Sequence, residues 1–112
     1  MNFTAVDLDC DRITNWNTFH NVFADVFGFP EFYGMNMNAW IDCMTSLDSP
    51  DDAMTSVHTP AGGVVVLTLK NFNLLAKRQP ELYEAIVEST AFVNHRKIES
   101  NESPVLVLSS SG

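Results

Sequence analysis

Two apolar runs, and the distances separating them, constrain the fold most. Val64 to Leu69 reads VVVLTL, nearly continuous in apolar and β-branched residues. Side chains along such a run avoid water on both faces, as in a fully buried strand of a parallel sheet. VLVL at 105–108, just after Pro104, reads as a second buried strand. Phe3, Ala5 and Leu8 alternate loosely with polar residues and suggest a first strand. Parallel neighbours need a long crossover, and each gap here can hold helices. The predicted order, β-α-α-α-β-α-α-β, is that of a small α/β domain. With 112 residues, one domain spanning 1–112 is expected.

The helical signals follow in order. Trp16, Phe19, His20, Phe23, Val26 and Phe27 share helical spacing, and Gly28 stands where a C-terminal cap would. His20 sits beside that aromatic stripe and reads as a packed or partly exposed histidine. Pro30 stops the helix. In the stretch from Phe29 to Leu47, Asn36 is a natural N-cap for a helix over 36–47. Met37, Trp40, Ile41, Met44 and Leu47 recur at intervals of three and four and mark its buried side. Asn38 and Asp42, one turn apart, fall on the display side with Met35 and Thr45. Ser49-Pro50-Asp51-Asp52 is a further helix-start pattern. A short helix is expected between Lys70 and Arg78. Another opens at Pro80-Glu81, with Leu82, Ile86 and Phe92 facing inward and Glu81, Glu84 and Glu88 on a different face. Ser109 to Gly112 reads as a frayed tail.

Charge narrows the function. Fourteen acidic and six basic residues leave a formal charge of −8. A nucleic-acid ligand needs cations for its phosphates, so direct binding of nucleic acid is not expected. A basic protein partner suits this charge, although acidity also simply keeps a protein in solution. Two cysteines, Cys10 and Cys43, fit a reducing cytoplasm better than a disulfide scaffold. Neither a signal peptide nor a membrane span is expected. Catalytic patterns are missing as well. Gly62-Gly63 precedes a strand and lacks the spacing of a phosphate loop. The histidines His20, His58 and His95 are scattered, and no sulfur pair has metal-site spacing. No metal, cofactor or catalytic residue is therefore expected. Cys43 or Cys10 paired in space with a histidine remains the one hydrolase alternative. The display side of the central helix is the more specific signal, although Asp42 by composition alone reads as an ordinary solvated residue.

The run Phe29-Pro30-Glu31-Phe32-Tyr33-Gly34, followed by Asn36, Ala39, Asp42, Cys43, Met44 and Thr45, resembles the barstar family of ribonuclease inhibitors. There the pattern is LPEYYG and then a helix with A-L-W-D-C-L. Phe19-His20, Phe23 and Phe27 match in register, and VVVLTLKNF and VLVLSS resemble the family's later strands, so the likeness covers nearly the whole chain. It implies a three-stranded parallel sheet covered by helices. It also implies an inhibitor that neutralises a ribonuclease toxin in the cytoplasm by placing an acidic helix and the preceding loop in a cationic active-site groove. The barnase–barstar pair is the standard example of such steered association. The residues so implied in partner binding are Phe32, Tyr33, Gly34, Met35, Asn38, Asp42, Thr45, Ser46 and Glu81. Asp42 matches the principal anchor aspartate. Phe32 replaces a contact tyrosine, Asn38 an aspartate, Met35 a glutamate and Ile41 a tryptophan. The acidic patch is thinner, which implies a toxin whose groove differs from that of barnase. An acidic interaction module without a nuclease partner is the alternative.

Overall fold

A computed structural model describes residues 2–112. Strands β1 (Phe3–Asp9), β2 (Val64–Lys70) and β3 (Leu106–Ser111) form one parallel sheet in the order β1-β2-β3. Val6 pairs with Leu67, Leu8 with Leu69, and Val65 with Leu106. This register puts Val6, Leu8, Val65, Leu67, Leu69, Leu106 and Leu108 on one face, against the hydrophobic core. Both crossovers step in the same direction across the sheet. Right-handed crossovers then leave all helices on that same face.

The opposite face is open, and here the structure corrects an expectation. β2 is buried on one face only: Val65, Leu67 and Leu69 are fully buried, while Val64, Val66 and Thr68 are half-buried. Their neighbours Phe3 and Val107 are 61% and 43% exposed. An apolar run is compatible with burial on both faces but does not supply the second layer. The tail is a second correction. Ser109, Ser110 and Ser111 pair with Thr68, Leu69 and Lys70, so β3 continues to Ser111. Backbone hydrogen bonds hold the serines in the sheet while their side chains face solvent.

Helix α1 (Trp16–Phe27) starts with a reciprocal cap. The Asn15 side chain accepts from Thr18 N–H at 2.9 Å, and Thr18 Oγ1 accepts from Asn15 N–H at 3.0 Å. It ends at Gly28, whose φ of +67° suits glycine. A side chain there would also collide with the Ser56 side chain. Phe19, Phe23 and Phe27 are wholly buried. Helix α2 (Met37–Thr45) is shorter than expected, but Leu47 beyond its end is still buried with Trp40 and Met44. The Ser49–Asp52 pattern yields one 3-10 turn, Pro50–Asp52. Ser49 makes no capping bond and Ala53 is left-handed at φ +54°, so nothing extends the turn into a helix.

Helix α3 (Phe72–Arg78) is followed directly by α4 (Pro80–Glu99). Leu82, Ile86 and Val93 of α4 are buried. Phe92 is not: it is 52% exposed, because the inward phase set by Leu82, Ile86 and Val93 turns it outward. No helix among the described residues is long and apolar enough to cross a membrane.

Candidate functional site

The loop between α1 and α2 and the outer face of α2 form one exposed ridge. The Asn36 side chain accepts from Ala39 N–H at 2.8 Å, which fixes where the helix begins. The apolar stripe then turns inward, and the remaining period carries Asn38 and Asp42 to solvent. Phe32 is 77% exposed, with Gly34 and Met35 exposed beside it. Met35 has a φ of +56°, a costly conformation for a side chain that is not glycine or asparagine.

The loop is held from beneath. Tyr33 is half-buried, and its hydroxyl hydrogen-bonds His20 Nδ1. Its ring packs on Phe29, with centroids 4.7 Å apart. Burial, with the neighbouring Cys43 second, raises the Tyr33 pKa, so the hydroxyl stays protonated. His20 is a packed residue, and burial lowers its pKa and favours the neutral ring. Thr45 and Ser46 are also engaged internally. Thr45 Oγ1 donates to Ile41 O at 2.6 Å, and Ser46 Oγ donates to Asp52 at 2.9 Å.

Asp42 stands on a crest between two grooves. One is lined by Pro30, Phe32, Tyr33, Gly34, Ala39, Cys43 and Met54. The other is lined by Asn38, Ile41, Phe92 and Arg96. Arg96 Nη1 donates to Asp42 Oδ1 at 2.9 Å. Glu81 is elsewhere. It lies in the first turn of α4, fifteen residues before Arg96, which is about 22 Å along a helix axis. The structure therefore does not bring Glu81 to Asp42. Phe92, Arg96 and Met54 are the neighbours that sequence reasoning missed. The only sequence signal for the first two is their separation of four on α4, off the phase of Leu82 and Ile86.

Below the ridge, Lys97 ties α4 to the end of α2. Its side chain is 4% exposed, and Nζ pairs with Asp48 at 2.8 Å and Glu102 at 2.7 Å. A longer contact of 3.5 Å reaches Thr45 O. Burial works to lower the lysine pKa, but the hydrogen bonds and charges of Asp48 and Glu102 outweigh it, and the net shift is upward. Neither cysteine is built as a nucleophile, which requires an accessible thiolate. Both are buried. Burial first, then Asp9 and Asp11, pushes Cys10 up to about 12. Burial, then Asp42, pushes Cys43 up to about 11.

Three parallel strands in one open sheet, with the helices on one face, make a small α/β domain whose α1–α2 loop and outer α2 face are exposed together. Over residues 3–109 the chain matches the model of the Barstar (barnase inhibitor) family, and it belongs to that family. The family is one of ribonuclease inhibitors. A search of the curated proteins finds no match.

Proposed function

We propose that this protein is an immunity protein that neutralises a ribonuclease toxin in the cytoplasm by seating the α2 ridge in the toxin's cationic active-site groove. The observation that carries the reading is the exposed carboxylate of Asp42 on helix α2, in a chain of charge −8 that belongs to a family of ribonuclease inhibitors. A ribonuclease groove is built for phosphates, and a fixed carboxylate can take a phosphate's place against its arginines. The net charge favours encounter with a cationic surface, and the local contact sets the lifetime of the complex.

Phe32, Tyr33, Gly34, Met35, Asn38, Asp42, Thr45, Ser46 and Glu81 form the contact in this reading, with Asp42 at its centre. Tyr33, Thr45 and Ser46 are also held by bonds within the ridge, and Glu81 is an outlying member in the first turn of α4. Phe32 and Met35 give an apolar flank, in keeping with a groove less uniformly cationic than that of barnase. The test is inhibition of purified ribonucleases, barnase among them, together with rescue of cells that express the toxin. Asp42→Ala is expected to weaken inhibition by about 2 kcal/mol or more, roughly thirtyfold, without loss of fold. If Asp42→Ala inhibits as well as the unaltered protein, or if only non-nuclease partners are bound, the proposal fails and an acidic interaction module is the better description.

A further inference from the structure

The anchor carboxylate is already occupied. Asp42 is the only acid in α2, and its Oδ1 takes a hydrogen bond from Arg96 Nη1 at 2.9 Å. One of the chain's six cations therefore sits on the carboxylate of the ridge even though the net charge is −8.

Four observations mark this pair as exchangeable. It is a single bond, with no second hydrogen bond from Arg96 to Asp42 Oδ2. Both side chains are open to solvent, 44% and 57% exposed, where an ion pair is weak and readily traded. The helix packing does not depend on it either. The buried Lys97 contacts to Asp48 and Thr45 O already fasten α2 to α4. Arg96 also has a second resting place, since its guanidinium lies 5.8 Å from the centroid of the exposed Phe92 ring. A guanidinium released from Asp42 can stay on that face without being buried unpaired.

We propose that Arg96 is an internal counter-ion that masks Asp42 in the free protein, and that a cationic partner binds by displacing it. The mask imposes the same small cost on every cationic surface. Weak, non-specific contacts with basic proteins become weaker by that same small factor. A guanidinium that takes both carboxylate oxygens in a water-excluded groove gains enough to exchange with the single exposed bond. The biological meaning rests on the reading of Asp42 as the anchor, but the masking itself can be tested without any ribonuclease.

The experiment titrates the full-length protein with an oligoarginine peptide and follows the side-chain amide of Asn38, which lines the same groove, by NMR. Arg96→Gln is expected to tighten binding at this reporter about two- to fivefold, the range of an exposed ion pair. The gain should shrink at high salt, which screens the internal pair. It should vanish when Arg96→Gln is combined with Asp42→Asn, since no carboxylate is then left to unmask. Equal or weaker peptide binding by Arg96→Gln overturns the proposal, as does a gain that survives in the double variant. A positive peptide result beside an unchanged ribonuclease inhibition by Asp42→Ala would overturn the proposed function and leave the masking standing.

Discussion

Replacing Lys97 by methionine removes a charge but keeps most of the side-chain volume. The ammonium has three N–H donors, and three oxygens surround it: Asp48 at 2.8 Å, Glu102 at 2.7 Å and Thr45 O at 3.5 Å. Lys97 is 4% exposed and Asp48 11%, so Lys97→Met leaves Asp48 buried beside an apolar chain. Breaking a buried pair by removing one partner costs about 3–5 kcal/mol. Glu102 is 52% exposed and can turn to water, which places the expected loss at the lower end, about 3 kcal/mol. In a domain of this size that lowers Tm by roughly 10 °C or more. Urea unfolding near neutral pH measures the loss, and the double variant Lys97→Met/Asp48→Asn should recover part of it. A cost under about 1 kcal/mol, or a double variant no more stable than Lys97→Met, would refute the argument that an uncompensated buried carboxylate sets the magnitude. The pH sign is also defined. The folded pKa of Lys97 is raised, so its stabilisation is fully present below the ordinary value of 10.5 and is lost as pH rises through the folded value. This alkaline loss should be absent from Lys97→Met.

Three other outcomes follow from the same contacts. Gly28→Ala should destabilise by more than about 1 kcal/mol, from the positive φ and the collision with Ser56, and Ser56→Gly in the same chain should restore only the part due to collision; equal thermal stability of Gly28→Ala and the unaltered protein would contradict this. The folded pKa of His20 is lowered, so the unfolded chain takes up the proton first; stability should fall as pH drops below 6.5, and His20→Gln, which keeps a polar side chain but cannot titrate, should lose that portion of the pH dependence in urea titrations. Both thiols should react with iodoacetamide far more slowly in the native protein than in denaturant, and rapid native labelling of Cys43 would return a hydrolase reading to consideration.

The ridge shows how far local patterns reach. Asn36, the apolar spacing through Met44, and the inward turn of Trp40 all follow from helix period and capping, which neighbouring residues encode. The exposure of Asn38 and Asp42 is the remainder of that period. The same reasoning misplaced Phe92, because several apolar residues on α4 compete for the inward phase and the docking of the helix decides among them. It also misread Ser109 to Ser111, where polar side chains suggest a loose end but the backbone finds partners on β2. Tyr33 belongs to a loop whose sequence suggests display. Its hydroxyl is drawn inward by His20, thirteen residues earlier, a pairing that no local spacing announces.

The sequence by itself determined that there are three strands, where α1, α2 and α4 begin, and the two-sided character of α2, because these depend on side-chain period and on groups within a turn of one another. Family membership was legible for the same reason, in a gapless run of local motif. Only the tertiary structure decided that one sheet face stays bare, that Glu81 lies far from Asp42, and that Arg96, fifty-four residues along the chain, reaches its carboxylate. The bare face follows from both crossovers stepping the same way across the sheet, and the other two outcomes depend on how α4 lies across α2.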